Sequence, residues 1–487
     1  MKDMNKANFM TALPDGLIAV VKRDCPTCAL VEPVLARLSS GETPLTVYTQ
    51  DDPAFPRGAT TVIDDTSLEC SYHLNIETVP TLIRVVDGRE VARIVGWNRA
   101  EWQAFAGVVD LGADLPAHRP GCGSRSVEPG VAEQLAVRFG GAKLRARRIE
   151  LAALEDDIEA CFDRGWSDGL PVVPPTEARV LRMLEGTSRA PDEIVGVIPP
   201  DLVECTVEKV AINAVMAGCR PEYLPVVLAA VEAACDDDFC MHGVLATTYT
   251  VGPVVIVNGP ITRAIGMNAG VNALGQGNRA NATIGRALQL VIRNVGGGHP
   301  GGVDRATLGN PGKYTFCFAE GEAGSPWEPL SVERGFAPGT STVTLFAGEG
   351  VRGIADQRSR TPESLARSFA ACLRTVAHPK LPFVDAFLVV SPEHGRVFRL
   401  AGWSKARLRE EIENLLTLPG GELVRGAGDM AEGVPESMGE ETMTKFRPGG
   451  LGIVHAGGTA GMFSAVIGGW LNSGPRGSQP VTREIRR

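Results

Sequence analysis

The stretch Arg23-Asp24-Cys25-Pro26-Thr27-Cys28 sets two cysteines two residues apart. An all-apolar run, Leu17-Ile18-Ala19-Val20-Val21, leads into it and reads as a buried parallel strand. Beyond it Leu30, Val31, Val34, Leu35 and Leu38 recur at helical spacing. A thiol pair between a strand and a helix suits dithiol–disulfide exchange. There Cys25 meets the free N–H groups of a first helical turn, which favour a thiolate, and Cys28 lies one turn on. Pro26 fits that turn because its missing N–H is not needed there.

Working outward, Leu45-Thr46-Val47-Tyr48 reads as a second strand and Ser67 to Leu74 as a short helix. Thr81 to Val86, Asp87-Gly88 and Glu90 to Val95 make a hairpin, and Ala100 to Val108 a closing helix. Three local features accompany this order: Cys25-Pro26-Thr27-Cys28, Pro33 five residues after the second Cys, and Thr78-Val79-Pro80-Thr81. Together they make residues 14–112 resemble the thioredoxin family. The resemblance implies a thiol–disulfide oxidoreductase domain in which a cis Pro80 faces the thiols. Cys25 would attack a sulfur, and Cys28 would resolve the mixed disulfide. Two departures stand out. Ala19 occupies the place of the family's buried carboxylate, and Asp24 the place of its Trp. An acid beside Cys25 would raise its pKa, so the pair is expected to serve one intramolecular partner. A zinc-binding CxxC is the alternative, with Cys70 and His73 as its only nearby candidates.

At 487 residues the chain should hold two or three domains. A net charge of −9 without a basic block argues against non-specific nucleic-acid binding. No apolar run approaches the ~20 residues of a membrane helix. Met1 to Asp15 is polar and lacks a signal-peptide core. A cytoplasmic protein is therefore expected, its eleven cysteines being redox thiols or small buried side chains.

Gly112, Pro116, Pro120, Gly121, Gly123, Pro129 and Gly130 crowd one segment, which reads as a linker over 113–130. Inside it, Gly121-Cys122-Gly123-Ser124 exposes a thiol that could reach another one, or is a turn with an incidental Cys.

Residues 131–487 read as a larger α/β domain, with room for two subdomains. Leu151 to Arg164 has helical spacing, and Trp166-Ser167-Asp168-Gly169-Leu170-Pro171-Val172-Val173-Pro174-Pro175-Thr176 is a rigid loop. This string resembles a bacterial family without a characterised activity, and so implies none. Lys209 and Asn213 share a helix face, either as ligand groups or as a solvated surface. Cys219 lies beside polar motifs and is a candidate reactive thiol. Loops dense in Gly and Asn run from Gly266 to Glu322. They read either as tight turns between short strands or, with Asn281, Arg286, His299, Lys313 and Glu320, as backbone N–H groups and cations around a small anion. No phosphate-loop or dinucleotide string opens a βαβ unit there.

Val384 to Val390 is a buried strand, and Ser391-Pro392-Glu393 starts a helix with His394 on its first-turn surface. Leu451 to His455 is a strand, followed by a Gly turn and a helix from Met462 to Trp470. His455, at a strand's carboxyl end, is a candidate for acid–base work. Cys235, Cys240 and His242 do not have a standard zinc spacing.

The expected architecture is thus α/β: a thioredoxin-like domain fused to a larger α/β or α+β domain. Cys25 and Cys28 would pass electrons to a thiol or disulfide, Cys122 or Cys219 among the candidates. The larger domain would bind a small anionic substrate, with Asp168 in its site. Two alternatives stay open: a lyase or hydrolase whose catalytic Cys is kept reduced, and a redox-regulated binding protein without turnover. The expected partner is a small-molecule or protein thiol or disulfide, with no nucleic acid, membrane, metal or cofactor. A homo-oligomer is left open.

Overall fold

The apolar run ahead of Cys25 is the central strand of a five-stranded sheet in the computed structural model, which describes residues 13–141, 144–152, 154–470 and 477–486. The polar N-terminal reading therefore lies, up to residue 12, outside the described residues, as does position 153 of the helical pattern over 151–164. The chain divides into two compact units, Met1–Leu144 and Arg145–Arg487.

In the first unit β1 (Gly16–Val21) runs parallel to β2 (Leu45–Thr49) and antiparallel to β5 (Thr81–Val86). β3 (Val62–Asp64) extends the sheet beyond β2, and β6 (Arg89–Val95) beyond β5, in the order β3-β2-β1-β5-β6. Leu17 to Val21 are all buried, as expected of a strand covered on both faces. The hairpin between β5 and β6 turns at Asp87 and Gly88, both with positive φ, as an Asp-Gly turn of this length requires. After Cys25 come α1 (Pro26–Leu30) and α2 (Glu32–Ser39), two short helices meeting at Val31. Pro33 lies in the first turn of α2; it has no N–H to continue the ladder of α1, so the helix is broken there.

Residues 113–130 belong to the first unit and are strand-paired within it. β7 (Trp97–Asn98) pairs with β8 (His118–Arg119), and β4 (Thr78–Val79) with β9 (Cys122–Gly123). Of the pattern over 151–164, Asp157–Asp163 is helical.

The second unit is built on a seven-stranded mixed sheet in the order β13-β12-β14-β19-β15-β18, with β20 paired to β14. The strands are β12 (Gly252–Asn258), β13 (Cys317–Ala319), β14 (Thr342–Ala355), β15 (Val384–Val390), β18 (Phe446–His455), β19 (Phe463–Gly469) and β20 (Val481–Glu484). The smaller pairs are β10 (Ile194–Ile198) with β11 (Val203–Thr206), and β16 (Leu418–Pro419) with β17 (Thr442–Met443). β12 is parallel to β13, and β15 to β18; the other pairings are antiparallel. Alternation along β15 divides the core. Ala386, Leu388 and Val390 pack with Leu365, Phe369, Phe398, Leu408 and Ile412, while Phe387 and Val389 face Val254, Ile256, Phe318 and Phe346.

Two expectations change here. Residues 463–469 are a strand between β14 and β15, not a helix. A seven-residue run of small and apolar side chains carries no period that separates the two, and burial on both faces decides for the strand. The helix at Pro392–Leu400 begins where expected, but His394 is wholly buried. Its Nδ1 lies 2.7 Å from Ser464 Oγ on β19 and its Nε2 3.0 Å from the Asp356 carbonyl.

Candidate functional site

Three thiols converge in the first unit. Cys25 is the N-cap of α1, and its Sγ accepts the Cys28 N–H at 3.3 Å. The same sulfur lies 3.6 Å from the Val79 carbonyl, and the Val79–Pro80 peptide that follows is cis. Both Cys25 and Cys28 are wholly buried, whereas Cys122 is half-buried. All eleven cysteines are free thiols.

Cys122 reaches Cys25 because residues 112–126 form a strap whose path is set step by step. Trp97 Nε1 donates to the Pro116 carbonyl at 2.7 Å, and Trp97 opposes Arg119 across β7 and β8. Thr27 Oγ1 donates to the Pro120 carbonyl at 2.7 Å, which ties the strap to the CxxC turn itself. At Gly121 a Cβ would sit 2.5 Å from Thr78 Cγ2 and 2.7 Å from the Val79 carbonyl oxygen, so only glycine allows this approach. Val79 then opposes Cys122, and Thr78 opposes Gly123.

A buried hydrogen-bond chain fixes the strap's far end. Ser126 Oγ donates to the Ile76 carbonyl at 2.7 Å, and Ser124 Oγ and Ser126 Oγ are 2.7 Å apart. Gln50 Nε2 donates to Ser124 Oγ (2.6 Å) and Ser71 Oγ (2.8 Å), and Gln50 Oε1 accepts the Arg125 N–H (3.0 Å). Ser71 Oγ donates to Asp65 Oδ2 at 2.6 Å. Both N–H bonds and the oxygen of the buried Gln50 amide are thereby satisfied.

The thiols have distinct acidities. Cys25 is lowered to about 5. Donation from the Cys28 thiol is the largest cause; burial opposes it, and the Cys122 thiol and the Cys28 and Thr27 N–H groups add to the lowering. Burial, and then the neighbouring Cys25, push Cys28 far up. The same two causes raise Cys122, with the Thr27 N–H and the Lys22 charge working the other way. Asp24 is exposed and is not among the leading influences on Cys25. Ala19 is buried between Val47 and Leu82 on the neighbouring strands. Cys70 is buried and its thiol is pushed up by desolvation. Among the described residues no group of three His, Cys, Asp or Glu side chains could hold a metal ion.

In the second unit most of the singled-out polar residues engage one another or the backbone. Arg286 grips Asp168 through two bonds, 2.8 and 2.7 Å, and also donates to the Leu170 and Pro171 carbonyls. Burial raises the Asp168 carboxyl, but Arg286 outweighs it and holds the group below its usual value. Lys313 pairs with Asp304 at 2.6 Å, and Lys209 Nζ donates to the Glu204 carbonyl at 2.9 Å. Asn213 donates to the Lys209 carbonyl and accepts from Asn294, both at 2.9 Å. Asn281 clasps the loop before it through the Asn268 N–H and carbonyl. His299 is exposed. Cys219 is buried, donates to the Thr283 carbonyl at 3.3 Å, and is pushed up to about 12 by desolvation.

Glu320 and His455 are also brought near each other, through Gly321. The Gly321 N–H donates to the His455 carbonyl at 2.7 Å, and His455 Nδ1–H donates to the Gly321 carbonyl at 3.0 Å. That fixes the tautomer and leaves Nε2 as a buried lone pair without a partner. Glu320 accepts from Asn258 Nδ2 (2.6 Å) and the Leu330 N–H (2.7 Å), and burial raises its carboxyl. Asn258 and Gln50 were given no role by the sequence reading. Isolated polar residues give no signal until the chain is folded around them.

Among the described residues no helix is long and apolar enough to cross a membrane. No protein-family model matches the chain, and no curated protein matches it in sequence.

Proposed function

We propose that the first unit is a thiol–disulfide oxidoreductase domain of the thioredoxin type, with Cys25 as its nucleophile. The observation that carries this reading is the placement of Cys25 Sγ. It caps a helix, accepts the Cys28 N–H, and lies beside the Val79 carbonyl. The strand order around β1 and the position of the CxxC between β1 and α1 also favour it. As a thiolate at neutral pH, Cys25 attacks one sulfur of a disulfide. The S–S bond breaks, and the leaving thiolate takes up a proton. A second thiol of the domain then displaces the bound sulfur and closes an internal disulfide. Two electrons and two protons thereby pass from the protein to the substrate. Such a domain works where a reductant restores its thiols, as in the cytoplasm.

The second unit is read as the electron-accepting or substrate-binding part of the same protein. An anionic ligand has less support than a neutral or basic one, since Arg286, Lys313 and Lys209 already have partners within the unit. A catalytic cysteine there is not favoured. Cys205, Cys219 and Cys235 are each pushed up to about 12 by burial.

The test uses the full chain with a chemical dithiol as reductant and oxidised glutathione as substrate. Wild type should turn over, and Cys25→Ser should lose all turnover. Equal rates for the two would refute the assignment.

A further inference from the structure

We propose that Cys122 is the thiol through which this domain meets its substrate, and that the sulfur Cys25 attacks is that of Cys122. The inference rests on Cys25 being the domain's nucleophile. It starts from a gradient of exposure. Cys28 and Cys25 are both 0% exposed, and Cys122, in contact with Cys25, is half-buried. A disulfide arriving from solvent therefore touches Cys122 first. The strap is no loose tether that could leave Cys25 open. It is fastened on either side of Cys122 by Thr27 to Pro120 and by Gln50 to Ser124. It also occupies the backbone edge of Thr78–Val79, where an extended peptide would otherwise add as a strand. The substrate class that fits is a low-molecular-weight disulfide.

The steps balance as follows. The Cys122 thiol gives its proton to solvent as its sulfur attacks the substrate R–S–S–R. The substrate S–S bond breaks, Cys122–S–S–R forms, and RS⁻ leaves to be protonated by solvent. The Cys25 thiolate then attacks Cys122 Sγ. The Cys122–S–S–R bond breaks, a second RS⁻ leaves and is protonated, and Cys25–S–S–Cys122 remains. Cys28 then attacks Cys25 Sγ. Its proton passes to the departing Cys122 sulfur, leaving Cys25–S–S–Cys28 and a free Cys122 thiol. Overall the Cys25 and Cys28 thiols reduce one R–S–S–R to two R–SH, and Cys122 carries the sulfur inward.

The experiment treats the reduced full chain with one equivalent of oxidised glutathione, quenches with acid, alkylates, and maps the disulfides by mass spectrometry. Cys25→Ser should accumulate glutathione on Cys122. Cys28→Ser should stop at a Cys25–Cys122 disulfide. Cys122→Ser, a change at a half-buried position, should slow closure of Cys25–Cys28 by on the order of tenfold or more. Glutathione on Cys25 in the Cys28→Ser chain, with Cys122→Ser as fast as wild type, overturns the inference and leaves Cys25 as nucleophile standing. No exchange at any of the three thiols in wild type overturns both.

Discussion

Val79 and Cys122 face each other across an antiparallel pair of two-residue strands, and the carbonyl of Val79 lies 3.6 Å from the sulfur of Cys25. One backbone unit thus holds the Cys25 thiol on one side and a third thiol on the other. The thiol exchange proposed for the first unit depends on this register.

The Cys25 thiolate should be visible directly. The ultraviolet thiolate absorbance of the reduced chain, less that of Cys25→Ser, should rise with a midpoint at about pH 5. Cys28→Ala removes the strongest donor and should move the midpoint upward. The folded pKa lies below the unfolded one, so between about pH 5 and the ordinary thiol range the folded chain is ionised and the unfolded chain is not. Stability from this group therefore grows with pH across that window and is lost as pH falls through about 5. Urea unfolding of the reduced chain should show a larger gain from pH 5 to about 8 than unfolding of Cys25→Ala.

Gly121→Ala tests the strap without touching a thiol. Its new methyl group meets Thr78 Cγ2 and the Val79 carbonyl, and must push the strap outward. Cys122 should then alkylate several-fold faster, and the Cys25 midpoint should rise as it loses a donor. Unchanged alkylation would mean that the strap is not held at this contact.

Gln50→Leu should cost about 2 kcal/mol or more in urea unfolding, because Ser71, Ser124 and the Arg125 N–H lose a buried partner together. Hydrogen exchange should localise the loss to the amides of Ser124 and Arg125. A uniform change across the first unit would point to a general packing defect instead.

In the second unit, Asp168→Asn leaves Arg286 largely buried without its counter-charge and should destabilise the unit by about 3 kcal/mol. Replacing both, as Asp168→Asn with Arg286→Met, should cost less than the single change. The Asp168 carboxyl is held below its unfolded value, so its contribution is present above the ordinary carboxylate range and is lost in acid. Wild type and Asp168→Asn should therefore converge as pH falls.

His394 and His455 are buried, and desolvation holds both below the usual histidine value. Below about pH 6.5 the unfolded chain takes up protons that the folded chain refuses, so the second unit should lose stability from pH 7 to pH 5. His394→Asn should flatten that slope in thermal melts. An unchanged slope would assign the acid sensitivity to other groups.

Local pattern carried much of the first unit: the apolar run before Cys25, Pro26 in the first helical turn and the Asp87-Gly88 turn are short-range signals. The strap was not legible, because glycine and proline at 112–130 signal a turn-rich path without saying what it crosses. Its partners, Gln50, Ser71 and Ile76, are remote in sequence. The helix expected from Met462 to Trp470 illustrates a second limit. A central strand and a buried helix can share one apolar composition, and only neighbours on both sides separate them. The clustering of Cys25, Cys28 and Cys122 follows from the fold, and the separation of Lys209, Arg286 and Lys313 into pairs with their own partners does too.

The strap also settles where the protein can be cut. Ending the chain at residue 112, where composition suggests a boundary, would strip the partner from the Thr78–Val79 edge and uncover a thiolate that the full chain keeps from solvent. If the first unit exchanges disulfides as proposed, the shorter protein should accept extended peptides that the paired edge excludes. On the proposed function, residues 112–126 would act as the domain's own gatekeeper, and a trimmed version would misreport what the whole protein reduces.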